Sequence, residues 1–179
     1  TNIQIPESVI IIGSGAFYQC KKLETINIPS KIKKLGKTMF YNCRSLQHIT
    51  LPANLEILGE YAFYGCHNLL DITLPSSLKI LQPSTFYGCK SLKKISIPDN
   101  IKDISYSCFK NCISLEEAIL GSGIRAIGQY AFYGCIQLKE ITIPDNVSII
   151  GDSVFKKCTN LKNLTIHNGV SNIGYGAFM

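Results

Sequence analysis

The sequence lacks long apolar runs, a strong charge excess and any insertion that breaks its internal pattern. No apolar run approaches the roughly 18 residues that a membrane-crossing helix needs, so no transmembrane segment is predicted. Eighteen lysines and arginines against twelve aspartates and glutamates give a net charge of only +6. That excess favours acidic partners slightly and falls short of the basic, aromatic-interleaved surface that indicates nucleic-acid binding.

What the sequence has is a repeat of 23 residues. All eight phenylalanines obey this period, as do seven of the eight cysteines. The phenylalanines are Phe17, Phe40, Phe63, Phe86, Phe109, Phe132, Phe155 and Phe178, and the cysteines are Cys20, Cys43, Cys66, Cys89, Cys112, Cys135 and Cys158. A period of this length predicts a solenoid, in which each unit buries its apolar face against its neighbours.

The repeat predicts a single solenoid over residues 1–179, with six full units and two partial ones. The chain begins and ends inside a repeat, so we expect it to be a fragment of a longer protein.

Each unit begins with an alternating apolar segment. Ile26 and Ile28 flank Asn27, and this period of two is typical of a strand with one buried face. Pro29 follows and has no amide hydrogen to continue a ladder, so we expect the strand to end there. Stacking the units then places like residues in columns on a parallel sheet.

The second part of each unit leads into the pentapeptide AFxxC. Gly36 is expected to take the positive φ of a tight turn, although Gln82 and Ser105 replace it in two units. The apolar pair Met39 and Phe40, three to four residues before Cys43, predicts one short helical turn. We expect Phe and Cys to point into the interior.

The pattern LxxIxIPxxIxxIGxxAFxxCxx resembles the BspA-like leucine-rich repeat family over the whole chain. The resemblance implies an α/β repeat fold: a leucine-rich repeat solenoid wound as a right-handed superhelix, with a parallel β-sheet ladder and short helical turns on the other side. It also implies a secreted or cell-surface location and a role in adhesion. Ala118, Gly121 and His167 depart from the pattern without changing this expectation.

The cysteines leave three interpretations open. Neighbouring thiols in a parallel ladder satisfy the Cα separation of a disulfide but have side-by-side Cβ vectors, so buried free thiols acting as small apolar side chains are favoured. Some disulfide pairing is the second interpretation. Metal binding is the least favoured, because ligands in a line do not converge on a tetrahedron.

One outward column combines charges of both signs and is the candidate partner-binding strip. Its members are His48, Asp71, Lys94, Glu117 and Glu140, together with Ile119 of the next column. A row of weak surface ion pairs is the simpler interpretation. It explains Glu117 beside Glu140 poorly, because like charges on adjacent strands are destabilising.

A hydrolytic site at His48 and Asp71 with Thr50 or Thr73 as nucleophile is the third interpretation. We do not favour it, because an open sheet offers no pocket to exclude water and no free amides for an oxyanion hole. The sequence therefore predicts no enzyme, cofactor or metal.

Basic residues form two further columns. The first contains Lys21, Arg44, His67 and Lys90. The second contains Lys33, Lys79, Lys102 and Arg125, and Glu56 interrupts it between Lys33 and Lys79. A solvated face is the favoured interpretation, and an anionic ligand such as an acidic glycan is the alternative.

Together these observations predict a non-catalytic module that binds a protein of the extracellular matrix or of a cell surface, or an acidic glycan. Neither nucleic acid nor membrane insertion is expected. The alternative is a structural spacer of a larger surface protein, with no ligand of its own.

Overall fold

The computed structural model describes all residues from 1 to 179 and contains β-strands and turns but no helix. No segment therefore forms a helix that is apolar and long enough to span a bilayer. One set of strands opens the units: β1 (Asn2–Ile3), β2 (Thr25–Asn27), β4 (His48–Thr50), β7 (Lys94–Ser96), β9 (Glu117–Ile119), β11 (Glu140–Ile143) and β13 (Asn163–Ile166). The other set is shorter: β3 (Lys34–Leu35), β5 (Ile57–Leu58), β6 (Ile80–Leu81), β8 (Asp103–Ile104), β10 (Ala126–Ile127), β12 (Ile149–Ile150) and β14 (Asn172–Ile173).

The fold is a parallel β-solenoid in which paired strand residues are 23 positions apart in the sequence. Thr25 pairs with His48, and Lys94 pairs with Glu117. This register confirms the expected columns, because identical unit lengths bring equivalent positions side by side. We call the outward side of β2, β4, β7, β9, β11 and β13 the long-strand face.

The long-strand sheet is interrupted at one unit. Strands β1, β2 and β4 form one block and β7, β9, β11 and β13 form another, because residues 71–73 form no strand. Ile72 and Leu74 are nevertheless buried, so the interior remains continuous across the gap.

A second parallel sheet, made of the seven shorter strands, was not predicted from the sequence. Each of these strands has only two residues, which is too short for an alternating pattern to be detected. Leu35, Leu58 and Leu81 are its buried members in three successive units. We call its outward side the short-strand face.

The expected short helical turns are wrong. Thr38 and Asn42 have φ of 55° and 56°, which is the left-handed region and ends any right-handed helix. The amides of Thr38, Phe40 and Asn42 instead donate to carbonyl oxygens of the next unit at 2.9, 2.7 and 2.7 Å. The pentapeptide is thus a pair of turns hydrogen-bonded along the stack. We call the outward side of these turns the turn face.

The phenylalanines form the inward ladder that the sequence predicted. Successive rings stack with centroids 5.3 to 5.6 Å apart and interplanar angles of 1 to 16°. Phe40, Phe63, Phe86, Phe109 and Phe132 are fully buried. Parallel stacking of this kind adds a specific attraction to the free energy gained by burying each ring.

The cysteines are free thiols in the structure, and six of them make the same contact. Each Sγ donates to the phenylalanine carbonyl oxygen of the preceding unit over 3.0 to 3.2 Å, from Cys43, Cys66, Cys89, Cys112, Cys135 and Cys158. Cysteine therefore does more than fill space, because its thiol satisfies a carbonyl oxygen inside the stack.

Gly36 does not have the expected positive φ, and its role is close approach between units. A Cβ at the equivalent Gly59 would lie 2.5 Å from the backbone carbon of Gly36. Positive φ is found instead at Gly65, Gly88 and Gly134 of the pentapeptide, at 69°, 70° and 72°.

Replacing Gly59 by alanine is expected to lower the free energy of unfolding by about 1–3 kcal/mol, because the added methyl group overpacks two backbones. The matched control is Gly13→Ala, since a Cβ at Gly13 meets nothing within 4 Å. Denaturant midpoints measure both variants. Equal midpoints would contradict this explanation of the glycine.

Candidate functional site

The candidate strip lies on the long-strand face, where strand pairing sets its geometry. Lys94 pairs with Glu117 across β7 and β9, and Glu117 pairs with Glu140 across β9 and β11. His48 lies in β4 and Asp71 in the unit that lacks a strand. Asp71 still contacts its neighbour, because its carboxylate lies 3.3 Å from His48 Nδ1.

The carboxylates of Glu117 and Glu140 differ in their partners. Lys94 Nζ lies 2.8 Å from Glu117 Oε2, and this hydrogen bond and the nearby negative charge raise the pKa of Lys94. Glu140 has no basic group within 4.0 Å. Lys94 therefore offsets the repulsion between the two glutamates and leaves Glu140 free to interact with a partner.

Ile119 stands out in its column because the equivalent residues in other units are polar. Thr50, Thr73, Ser96 and Thr142 occupy the same position, which suits an exposed sheet surface. The Ile119 side chain is 54% exposed. It lies beside a groove of about 550 Å³ that contains both glutamates of the strip.

The groove also includes residues that were not among the predicted binding residues. Asp145 and His167 line it, and their side chains pair with Nδ1 and Oδ1 3.3 Å apart. Asp145 follows Pro144 after β11, so its position relative to Glu140 depends on the path of a loop. The groove thus combines three carboxylates with one exposed apolar side chain.

Beyond the pair of His48 and Asp71, the structure shows no contact that would support a hydrolytic site. His48 and Asp71 form their pair in the open, with exposed side chains. The hydroxyl groups of Thr50 and Thr73 make no hydrogen bond to His48.

The two basic columns differ in how their charges are compensated. Glu56 contacts Lys79, and its carboxylate lies 4.0 Å from Lys33 Nζ. The hydrogen bond and charge of Lys79, followed by the charge of Lys33, lower the pKa of Glu56. Lys102 and Arg125 have no carboxylate within 4.0 Å. Lys33 and Lys79 therefore share one carboxylate, whereas Lys102 and Arg125 have none.

In the other basic column, His67 is partly buried and lies near two positive charges. Partial burial, followed by the charges of Lys90 and Arg44, lowers the pKa of His67. His67 is therefore more readily neutral than an isolated histidine, which limits the positive charge of this column near neutral pH.

Comparison with known proteins gives a consistent family. The BspA type leucine rich repeat region, in six copies, matches residues 1–116 and 56–179. No curated protein matches the sequence at a significant level.

Solved structures from bacteria share the fold. A leucine-rich repeat protein of Bacteroides ovatus superposes with a TM-score of 0.93 at 34% identity, covering 97% of this chain and 47% of the other. A leucine rich cell surface protein of Faecalibacterium prausnitzii gives 0.79 at 28% identity, covering 91% and 46%. The pneumococcal vaccine antigen PcpA shares the fold alone, with a TM-score of 0.55 at 22% identity and 88% and 56% coverage.

The chain thus spans about half the length of the two more similar proteins. The matched repeats cover it from end to end, and the ladder of phenylalanine and cysteine agrees with them. The chain belongs to the BspA-type leucine-rich repeat family.

Proposed function

We propose that the chain is a non-catalytic binding module of a secreted or cell-surface protein, and that it presents its long-strand face to a protein partner. The observation that carries this proposal is the groove of about 550 Å³ in which Ile119 is exposed beside the unpaired Glu140. An exposed isoleucine and an uncompensated carboxylate add nothing to the stability of the stack. Both are features that a bound partner would cover.

The charges of the groove favour a basic partner surface. Glu117, Glu140 and Asp145 line it, although the chain as a whole carries a charge of +6. Complementary charge across an interface increases specificity and the rate of association. A lysine or arginine next to an apolar side chain would fit Glu140 and Ile119 together, as a protein of the extracellular matrix or of a cell surface can provide.

The cell-surface location is supported by relatives and not by the sequence itself. The Faecalibacterium prausnitzii protein is a cell surface protein by its description. A rigid stack in which every unit repeats the same outward positions suits an exposed binding surface, since such solenoids present extended faces to partners.

A structural spacer is the second candidate function. The pairs His48–Asp71 and Lys94–Glu117 are exposed, and such pairs contribute little to stability or recognition by themselves. If the whole long-strand face were of this kind, the module would only hold other domains apart.

The test is solid-phase binding of the purified chain to immobilised matrix proteins and to whole cells. The double variant Ile119→Thr and Glu140→Gln places at position 119 the polar residue that other units have there. It also removes the unpaired charge at position 140. We expect it to reduce binding about tenfold, as loss of an interface anchor does.

The matched control is Ile149→Thr with Asp103→Asn on the short-strand face. Ile149 is 46% exposed and Asp103 is also exposed, so the control makes the same changes in charge and residue type elsewhere. It is expected to bind as the unmodified chain does. No retention of the unmodified chain on either surface would favour the structural spacer. Equal binding by both double variants would exclude the groove as the binding surface.

A further inference from the structure

The turn face carries a ladder of tyrosines that changes to lysine at two units. Tyr18, Tyr41, Tyr64 and Tyr87 stack with centroids 4.6 to 5.0 Å apart. The next three positions of this column, 23 residues apart, are Lys110, Tyr133 and Lys156. The ladder therefore alternates between ammonium groups and phenol rings in its second half.

Lys110 lies among three of these rings. Its Nζ is 4.7 Å from the ring centroid of Tyr130, 4.9 Å from that of Tyr133 and 5.8 Å from that of Tyr87. Rings at this distance attract an ammonium group. They hold Lys110 in place without neutralising its charge.

Two more lysines bring their charges to the same place. Lys157 Nζ is 5.4 Å from the Tyr133 ring, and Lys156 lines a groove of about 370 Å³ with Lys110, Tyr130 and Tyr133. Hydrogen bonding from Lys157, together with the charges of all three lysines, lowers the pKa of Tyr133. The local field is therefore positive.

No carboxylate forms an ion pair with this cluster. None of Lys110, Lys156 and Lys157 has an acidic group within 4.0 Å. Asp152 also lines the groove, but its Oδ1 accepts the amide hydrogen of Tyr175 at 2.7 Å. By contrast, Lys37 lies 5.7 Å from a tyrosine ring and is paired with Glu60 at 2.7 Å.

The backbone at Lys157 determines which residues can replace it. Its φ is 65°, in the left-handed region that costs least for glycine. Gly65, Gly88 and Gly134 occupy the equivalent position in three other units, and Gln19, Asn42 and Asn111 have positive φ there in the remaining three. Glycine is therefore a compatible replacement for Lys157, and the left-handed backbone is a general feature of the turn.

We propose that Lys110, Lys156 and Lys157, with Tyr130 and Tyr133, form a binding site on the turn face for an acidic polysaccharide. The lysines bind its sulfate or carboxylate groups by charge-assisted hydrogen bonds. The tyrosine hydroxyl groups and ring edges contact the sugar between them.

The ring geometry favours a polysaccharide over a single-stranded nucleic acid. Nucleic-acid bases stack on free aromatic faces. Here one face of Tyr87 is covered by Tyr64 at 4.6 Å, and Lys110 lies over Tyr87, Tyr130 and Tyr133. A ligand that brings anionic groups without bases that must stack therefore fits the site better.

The test uses labelled dextran sulfate and measures fluorescence anisotropy over a range of salt concentrations. The triple variant Lys110→Tyr, Lys156→Tyr and Lys157→Gly restores the residues that other units have at these positions, so it is expected to fold. We expect its affinity to fall at least about tenfold, with a shallower salt dependence, since charge-assisted bonds are lost.

The matched control removes three exposed lysines elsewhere, by Lys22→Gln, Lys34→Gln and Lys162→Gln, and is expected to change the affinity less than about threefold. Uncharged dextran tests the need for the anion, polyglutamate tests an acidic protein, and single-stranded DNA tests a nucleic acid. We expect these three to bind at least about tenfold more weakly than dextran sulfate.

Equal losses of affinity for dextran sulfate in the triple variant and the control, or no loss in either, would contradict a binding site at these lysines. Polyglutamate or DNA bound as tightly as dextran sulfate, with the same loss in the triple variant, would overturn the polysaccharide as its ligand. The site lies on a different face from the groove at Ile119, so either proposal can fail without the other.

Discussion

Replacing Phe86 by alanine is expected to lower the free energy of unfolding by about 3–5 kcal/mol, which is the range for truncating a buried phenylalanine. Phe86 is fully buried, and its ring stacks at 5.4 Å on both Phe63 and Phe109. The substitution removes the buried ring area and leaves a cavity that two rigid neighbouring units cannot close. It also interrupts a ladder that runs through every unit. The denaturant midpoint and its slope measure the change.

The control for this variant lies at the end of the same ladder. Phe178 is 44% exposed and stacks on Phe155 alone, so Phe178→Ala is expected to cost about 1–2 kcal/mol in this chain. A loss below about 1 kcal/mol for Phe86→Ala, or equal losses for both variants, would contradict a continuous core ladder.

The interior of the fold was predictable because one spacing governs it. Identical unit lengths place Phe40 against Phe63 and Cys43 beside Cys66 without any knowledge of the local backbone. The alternation of Ile26 and Ile28, a separate signal with a period of two, located β2. Where a single unit departs, as at residues 71–73, the sequence carries no visible signal.

The local backbone of the pentapeptide was not predictable in the same way. Apolar residues at positions 39, 40 and 43 fit one turn of a helix, but they fit two successive turns with left-handed residues equally well. The helical turn and the pair of turns differ in where the backbone amides point. That direction is set by hydrogen bonds to the neighbouring unit. The role of Gly36 was missed for a similar reason, since close approach between units is a property of the stack.

The sequence predicted which residues share the candidate strip, but not which of their charged side chains form ion pairs. The period placed Lys94, Glu117 and Glu140 in one row. Which carboxylate the lysine contacts depends on side-chain rotamers, and the pairing of Lys94 with Glu117 leaves Glu140 free. The cluster around Lys110 left a signal in the sequence, since its column changes from tyrosine to lysine at position 110.

The stack of equivalent units, from which both proposed binding faces follow, is tested most directly by the reactivity of the thiols. They provide almost one reporter per unit. Burial is the main cause that raises the pKa of Cys43, Cys112 and Cys158 to about 12, and it also raises the pKa of Cys66, Cys89 and Cys135.

The thiolate is the reactive form, and a raised pKa reduces its fraction at any pH below that pKa. For a shift from 9.0 to about 12, the thiolate fraction at pH 8 falls on the order of a thousandfold. Exclusion of the reagent from the interior slows the reaction further, so each buried thiol must wait for its unit to open.

The measurement is alkylation of the native chain at pH 8, followed by mass mapping of each cysteine, with the unfolded and unreduced chain as reference. We expect half-buried Cys20 to react first, Cys158 near the other end next, and Cys66, Cys89 and Cys112 slowest, while the unfolded chain titrates all eight thiols. Interior cysteines that react as fast as in the unfolded chain would contradict the stack. Fewer than eight thiols in the unfolded chain would instead show disulfides and contradict the free-thiol ladder.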